Sequence, residues 1–160
     1  MKVFLINGPM GVGKTTVGKY IANRCDGTAF IDGDWCLDLH PFVGNAETKA
    51  MAVDNILHMI GNYKTCSYCK QIVLVWLMDD AWVLERLKNG ISALGLEPCT
   101  VTLLCSPEEL QRRWKNDTAC DWRTDEWLAV SLKSLSYFAT LENVLQTDGL
   151  TVSQVADKIL

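Results

Sequence analysis

A glycine-rich stretch near the start of the chain has the residue types and spacing of a phosphate-binding loop. It reads Gly8-Pro9-Met10-Gly11-Val12-Gly13-Lys14-Thr15, followed by Thr16, and fits the pattern Gly-x-x-x-x-Gly-Lys-Thr. Glycines let a backbone turn its N–H groups toward an anion. Lys14 is suited to reach the β- and γ-phosphates, and the Thr15 hydroxyl is suited to bind Mg²⁺. We predict that this loop binds ATP with Mg²⁺; the alternative is a chance glycine turn between a strand and a helix.

Two carboxylates follow the second apolar run, in Phe30-Ile31-Asp32-Gly33-Asp34-Trp35. Ligands of open α/β sheets bind at the carboxyl ends of the strands. A carboxylate there can hold Mg²⁺ or accept the proton of an attacking hydroxyl. We assign Asp32 to magnesium or base chemistry, and Asp34 to a phosphoryl acceptor on which Trp35 would stack. An ordinary Asp-Gly turn is the alternative for the pair, and burial in the core is the alternative for Trp35.

Basic residues follow the fourth apolar run and suggest a lid over the phosphates. Arg112, Arg113 and Lys115 come first, and Arg123 lies beyond a polar stretch. Arginines from a mobile segment can stabilise the charge of a phosphoryl group in transfer. Arg112 and Arg113 would point about 100° apart on a helix, so one of them would face the nucleotide. We predict that Arg113 binds the nucleotide and that Arg123 acts in catalysis from a short lid at about 115–124; a solvated basic face is the alternative.

Two further clusters have open or ordinary interpretations. Asp79 and Asp80 follow the third apolar run, where they would either bind magnesium or cap the next helix. Cys66-Ser67-Tyr68-Cys69 is a lone C-x-x-C motif. A zinc site needs two more ligands, and a redox pair normally opens a helix, so we expect ordinary reduced thiols.

Apolar runs alternate with amphipathic stretches, which predicts an α/β fold with a parallel sheet. The expected strands are Val3 to Ile6, Ala29 to Ile31, Ile72 to Leu77, Thr100 to Leu104 and Val144 to Gln146. Expected helices cover Gly13 to Asn23, Ala46 to Tyr63 after an Asn45 cap, Asp79 or Asp80 toward Gly90, a stretch capped by Ser106, Thr124 to Leu141, and Thr151 to Leu160.

Composition limits the possible classes. The chain has 160 residues, of which 49% are hydrophobic and 21% charged, so we expect one compact domain over 1–160. A net charge of −4 does not favour nucleic acid as a partner. No apolar run approaches the roughly 20 residues that span a bilayer, so we predict no membrane segment. The start of the chain is expected to be a strand rather than a signal peptide, and the protein a cytoplasmic monomer or homodimer with reduced cysteines.

The loop, Ile31-Asp32-Gly33-Asp34 and the segment from Leu103 to Arg113 together resemble the small P-loop kinases, which include nucleoside monophosphate, shikimate and gluconate kinases. The loop is also similar to that of ATP-binding proteins of the tunicamycin-resistance type. The resemblance implies three layers, with a five-stranded parallel sheet in the order 2-3-1-4-5 covered by helices on both faces. It also implies an acceptor-binding segment at about 34–70.

Two departures argue against a nucleoside monophosphate as acceptor. The adenylate kinase pattern Asp-Gly-Phe-Pro-Arg is replaced by Met78-Asp79-Asp80-Ala81-Trp82, and the expected lid carries few arginines. The leading hypothesis is an ATP-dependent kinase that acts on a hydroxyl or phosphate of a small-molecule acceptor, which is nucleoside- or nucleotide-like or another metabolite. The alternatives are an ATP-binding module or slow ATPase that acts through a partner, and a kinase-like protein directed at an antibiotic.

Overall fold

The computed structural model describes residues 1–117, 120 and 123–160. Five strands are present there: β1 (Lys2–Asn7), β2 (Thr28–Asp32), β3 (Gln71–Val75), β4 (Glu97–Leu104) and β5 (Val144–Gln146). Between and after them lie α1 (Lys14–Arg24), α2 (Ala46–Thr65), α3 (Ala81–Ala93), α4 (Pro107–Asn116), α5 (Asp125–Phe138) and α6 (Val152–Ile159), with a short 3-10 helix over Gly33–Leu37.

All five strands are parallel and lie in the order β2-β3-β1-β4-β5. In the centre of the sheet, Val3 of β1 pairs with Ile72 of β3 on one side and with Pro98 of β4 on the other. The predicted fold class and strand order are confirmed. The carboxyl ends of β1, β2 and β3 therefore meet at one edge of the sheet, where ligands of such folds bind.

The core lies on both faces of the sheet, because successive residues of a strand point to opposite sides. On one face, Leu5 and Leu74 pack with apolar residues of α2 and α3, such as Ile56 and Leu87. On the other face, Phe4, Ile6 and Val73 pack with Val17, Ile21, Leu110, Val155 and Ile159 from α1, α4 and α6. Burial on both faces explains the near-continuous apolar character of the central strands.

Several boundaries differ from the sequence prediction. The third strand was expected to reach Leu77, but β3 ends at Val75 and the chain leaves the sheet toward a buried Met78. The fourth strand starts earlier than predicted, at Glu97. Gly13 is the N-cap of α1 rather than a helical residue, because its φ of 106° is incompatible with a helix. Other shifts are small: α3 continues to Ala93 and α5 ends at Phe138.

Helix caps follow the expected chemistry at two starts. The Asn45 side chain accepts from the Thr48 N–H, and the Ser106 hydroxyl accepts from the Glu109 N–H at 3.2 Å. Asp80 is the N-cap of α3, but its carboxylate makes no cap hydrogen bond. No helix within the described residues is both long enough and apolar enough to cross a membrane.

Candidate phosphate-binding and acceptor site

The glycine loop connects the end of β1 to the start of α1, as predicted. A Cβ atom at Gly8 would lie 2.4 Å from the Leu103 carbonyl oxygen, so only glycine allows the loop to pack on β4. At Gly13, with φ of 106°, a Cβ atom would meet nothing within 4 Å. The loop is thus closely packed on its sheet side and open at the start of the helix, which is the cradle that a phosphate group requires.

Asn7 fixes the start of this loop to the segment after β3. Its side-chain oxygen accepts hydrogen bonds from the N–H groups of Gly8 at 2.8 Å and Met78 at 2.9 Å. Its amide donates to the Met78 carbonyl at 3.1 Å. Asn7 is fully buried, so these bonds are shielded from competition by water. The loop and the segment that carries Asp79 therefore share one rigid connection.

The middle of the loop is held from the other side by α4 and α5. Ser131 on α5 donates its hydroxyl to the Met10 carbonyl at 2.7 Å. The Trp114 ring lies so close that a Cβ atom at Gly11 would be 2.9 Å from its Cε3. Arg113 donates to the Val12 carbonyl at 2.7 Å. Two hydrogen bonds to loop carbonyls and the contact with the Trp114 ring thus fix the loop in place before an anion binds.

Lys14 lies over the loop with its ammonium group turned inward. It donates to the carbonyls of Gly8 at 2.8 Å and Pro9 at 3.0 Å. Burial lowers the pKa of Lys14 from 10.5 to about 8, although the negative charges of Asp34 and Asp32 oppose this shift. The charge of Arg123 lowers the pKa further. The pKa of Lys14 is thus close to neutral pH, and an anion bound beside the ammonium group would favour its charged form.

Thr15 and Asp32 bring together two oxygen atoms of the kind that binds Mg²⁺, and metal binding by this pair stays a prediction. The Thr15 hydroxyl donates to the Asp32 carboxylate at 3.5 Å, which joins the start of α1 to the end of β2. Magnesium in nucleotide sites takes few protein ligands and completes its shell with phosphate oxygens and water. This pair fits that requirement. Thr16 follows on an exposed part of the first helical turn.

The two carboxylates after β2 are held in a tight turn by Trp76. Asp32 is the N-cap of the 3-10 helix and accepts from the Asp34 N–H at 3.2 Å. Burial and the neighbouring Asp32 charge raise the pKa of Asp34, while Lys14 and a side-chain hydrogen bond with Trp76 act in the opposite direction. The indole N–H is the donor in that bond, since Trp has no acceptor. Asp34 therefore has a pKa above that of an ordinary aspartate, and Asp32 is the carboxylate in contact with Thr15.

Trp35 lies on the surface and is not part of the core, since 79% of the residue is exposed. It borders a shallow cavity of about 300 Å³ that Asp32 also lines. The remaining wall is mostly apolar and consists of Phe30, Ile31, Cys36 and Met59. An aromatic face beside a carboxylate is suited to bind an apolar or ring-shaped group with hydroxyls.

The three arginines of the predicted lid region differ in their contacts. Arg113 donates to Val12, to Glu109 at 2.7 Å, and to the hydroxyl and carbonyl of Thr147, both at 2.9 Å. It thereby joins the phosphate loop to the residue that follows β5. Arg112 is exposed and forms an ion pair with Glu109 on its own helix. As expected from their spacing, one of the two faces the loop. Binding of nucleotide by Arg113 stays a prediction.

Arg123 lies close to the site. Its guanidinium pairs with Asp117 at 2.5 Å and lies over the Trp114 ring at 5.0 Å from the centroid. Its effect on the pKa of Lys14 places its charge within electrostatic reach of the loop. The predicted lid at 115–124 includes residues 118, 119, 121 and 122, which lie outside the described residues. A catalytic role for Arg123 stays a prediction.

Asp79 and Asp80 form an ion-paired cluster with Lys49 of α2. Lys49 is 3.3 Å from Asp79 and contacts the Asp80 carboxylate closely. Burial disfavours the charged form of Lys49, but hydrogen bonds to Asp80 and Asp79 outweigh this effect and raise its pKa. Asp79 also acts on the pKa of Lys14, so this cluster borders the phosphate loop. Neither carboxylate contributes a cap hydrogen bond from its side chain.

The C-x-x-C motif has no ligand partners in the described structure. Cys66 is exposed, Cys69 is half-buried, and both are free thiols. Among residues 1–117, 120 and 123–160, no group of three or more His, Cys, Asp or Glu side chains is placed to hold a metal ion.

The sequence interpretation missed three residues that shape the site: Asn7, Trp76 and Ser131. Asn7 had a detectable signal, because it is a polar residue that ends an otherwise apolar strand directly before the loop. Trp76 gave none, since a tryptophan within an apolar run predicts only burial. Ser131 also gave none, because its bond to Met10 joins positions 121 residues apart.

A phosphate-binding loop between β1 and α1 of this parallel sheet defines the class of P-loop nucleotide-binding proteins. The chain belongs to the AAA domain family, whose model matches residues 5–127. Comparison with curated protein sequences gives no match.

Solved structures share the whole fold. A gluconokinase from Sinorhizobium meliloti is 17% identical with a TM-score of 0.73, over 99% of this chain and 89% of that chain. A Deinococcus radiodurans tunicamycin resistance protein is 21% identical with a TM-score of 0.69, over 99% and 92%. A shikimate kinase from Bacteroides thetaiotaomicron is 20% identical with a TM-score of 0.65, over 99% and 94%. With the family model, these structures confirm the resemblance of this fold to that of the small P-loop kinases.

Proposed function

We propose that this protein is an ATP-dependent kinase that transfers the γ-phosphoryl group to a hydroxyl of a small molecule bound beside Asp34 and Trp35. One observation carries the proposal: Asp32 and Asp34 face the phosphate loop together, with Asp32 in contact with Thr15. A loop that only binds nucleotide needs no second carboxylate beside a solvent-accessible aromatic surface.

The phosphate loop and Lys14 would bind the nucleotide. The N–H groups of the loop and of the first turn of α1 supply donors for the phosphates, as in other P-loop proteins. Lys14 would exchange its bonds to Gly8 and Pro9 for the β- and γ-phosphates. Arg113 would hold the loop in place through its hydrogen bonds to Val12 and Thr147. Arg123 would add positive charge beside the phosphoryl group in transfer.

Thr15 and Asp32 would hold Mg²⁺, the cofactor that ATP requires in such sites. When bound, this ion neutralises charge that develops on the phosphates. Asp34 is left for the acceptor. Its raised pKa makes it a better base than an ordinary aspartate, while Trp76 keeps it oriented.

In the proposed transfer, Asp34 accepts the proton of the acceptor hydroxyl as the oxygen forms a bond to the γ-phosphorus. The bond between that phosphorus and the β–γ bridging oxygen breaks, and ADP leaves with the bridging electron pair. Trp35 would orient the acceptor by packing on its apolar face. Charge and atoms balance, since the hydroxyl proton passes to Asp34 and then to solvent.

The test is a screen of nucleosides, sugars, amino alcohols and antibiotics for acceptor-dependent ADP release. Antibiotics belong in the screen because one structural neighbour is named a tunicamycin resistance protein. The proposal expects at least one compound to stimulate ADP release and to gain one phosphoryl group by mass spectrometry. Slow ADP release that no compound stimulates would instead support the ATPase alternative.

We further propose the cytoplasm as the location of the protein. All seven cysteines are free thiols, as a reducing compartment requires. Labelling of the unfolded protein with a thiol reagent directly after lysis tests this. Seven labelled cysteines are expected, and fewer would contradict the proposal.

A further inference from the structure

We infer that the acceptor is a hydroxyl compound without an anionic group, either neutral or positively charged. The inference rests on the proposed function and names the substrate class of the same site. It follows from the charges that face the acceptor region.

Four carboxylates lie around the acceptor side of the phosphate loop: Asp32, Asp34, Asp79 and Asp80. Asp32, Asp34 and Asp79 all act electrostatically on Lys14, so they share one neighbourhood. Asp79 and Asp80 are connected to it through Met78, which Asn7 fixes to the start of the loop. An acceptor would therefore enter a region of concentrated negative charge.

The lysine of α2 that lies at this cluster is already engaged. Lys49 contacts both Asp79 and Asp80, and its raised pKa keeps it in the charged form that these bonds require. To bind an anionic acceptor, Lys49 would have to leave two carboxylates uncompensated at the edge of the same site. Such an exchange gives little net attraction for an anion.

The other cations of the acceptor segment, 34–70, lie elsewhere. Lys64, near the end of α2, donates to the Leu94 carbonyl. Lys70 packs beside Gly27, which precedes β2, so it lies at the amino edge of the sheet. The candidate site lies at the opposite edge of the sheet, where the carboxyl ends of the strands meet. Two cations from outside that segment lie close to the loop: Lys14, which the proposed function assigns to the phosphates of ATP, and Arg123, which is paired with Asp117.

The other groups near the acidic cluster suit neutral or cationic partners. The hydroxyl of Tyr137 on α5 is buried and has no hydrogen-bond partner within the described chain. Burial and the charges of Asp79 and Asp80 raise the pKa of Tyr137, so its hydroxyl stays neutral and can donate or accept. On the open side, the exposed ring of Trp35, which borders the same cavity as Asp32, can pack on an apolar group or on a cation.

The experiment compares binding of related compounds in pairs, in each of which one member carries an anionic group and the other is neutral or cationic. The pairs include uridine and uridine monophosphate, glucose and gluconate, and tyramine and 4-hydroxyphenylacetate, each titrated calorimetrically with Mg²⁺ and ADP present. We expect binding by neutral or cationic members, and at least about tenfold weaker binding by each anionic partner. Equal or tighter binding by the anionic members would overturn the inference, and so would a lack of binding by every neutral and cationic member.

A charge variant sharpens the result. Asp79→Asn combined with Asp80→Asn removes the partners of Lys49, so binding of the anionic members should improve several-fold. Asp54→Asn is the matched control, because it frees Arg86 from an exposed pair between α2 and α3 and should leave the selectivity unchanged. No gain in the double variant, or an equal gain in the control, would contradict the assignment. Selective binding without any phosphoryl transfer would contradict the proposed kinase function but would support the charge preference.

Discussion

Gly33 lies directly against the Trp76 ring, because a Cβ atom at this glycine would be only 2.2 Å from Cγ of the indole. The contact lies between the two candidate carboxylates. It lets Trp76 reach Asp34 while the chain turns through the 3-10 helix. The acidic pair is therefore positioned by a buried aromatic side chain from the neighbouring strand end rather than by the turn alone.

Replacing Gly33 with alanine should displace Trp76 or the turn that carries Asp34. Overpacking of this kind costs about 1–3 kcal/mol, which urea unfolding followed by circular dichroism measures. Gly61→Ala is the matched control, since its Cβ atom would meet Leu94 at an ordinary 3.9 Å within α2. That change should leave the free energy of unfolding equal or raise it by about 0.5–1 kcal/mol. Equal destabilisation by both variants would contradict the role of the contact.

Arg113 and Arg112 are adjacent but should respond differently to alanine. Arg113→Ala removes the donors for Val12, Thr147 and Glu109, so we expect a loss of about 1–3 kcal/mol in stability and weaker binding of ATP. Arg112→Ala removes one exposed pair with Glu109 and should change stability by no more than about 0.5 kcal/mol. Calorimetry with ATP and thermal unfolding distinguish the two. A larger loss of stability or of ATP binding in Arg112→Ala than in Arg113→Ala would contradict the assignment of Arg113 as the arginine that faces the loop.

Binding of ATP should depend on pH through Lys14. Its pKa of about 8 means that the free protein loses this charge above pH 8, whereas bound phosphates would retain it. The dissociation constant of ATP should then rise roughly tenfold per pH unit above 8. Titrations between pH 6.5 and 9.5 test this, and Lys14→Gln should bind weakly without the inflection. A flat wild-type profile would contradict the prediction.

Stability should depend on the same group with the opposite sign. The folded pKa of Lys14, about 8, is below its ordinary value of 10.5, so the unfolded chain binds more protons between these values. The Lys14 contribution to the free energy of unfolding should therefore rise with pH from about 8 to 10.5. Comparing urea midpoints of the wild type and Lys14→Gln isolates this contribution. A difference that falls with pH would show that burial does not lower the pKa.

Asp32 and Asp34 should have separable effects on phosphoryl transfer. Asp32→Asn should raise the Mg²⁺ concentration needed for half-maximal activity, because it changes an oxygen ligand beside Thr15. Asp34→Asn should lower kcat by roughly 10²–10⁴-fold through loss of a base, with a smaller change in the requirement for Mg²⁺. The control is Asp26→Asn, an exposed carboxylate before β2 at the opposite edge of the sheet. Equal magnesium dependence in both site variants would contradict the division of roles.

The sequence predicted the fold because its signals are local. Apolar runs marked the strands, and the glycine loop had the spacing that connects β1 to α1. The end of β3 was placed wrongly at Leu77, since Trp76 and Leu77 continue the apolar run while Asn7 draws Met78 out of the sheet. The position of Asp32 and Asp34 at the end of the second strand was predicted, but the contact with Trp76 was not. Such contacts between distant residues depend on the order of the strands, which a single sequence does not encode locally.

The most direct test of the proposed kinase follows the γ-phosphoryl group itself. ATP labelled with ¹⁸O in this group is incubated with the protein, Mg²⁺ and the compound that best stimulates ADP release, and the products are analysed by mass spectrometry. The account predicts one labelled phosphoryl group on a hydroxyl of that compound with the wild type, and none with Lys14→Ala. Label found only in inorganic phosphate, at the same rate with and without the compound, would contradict it.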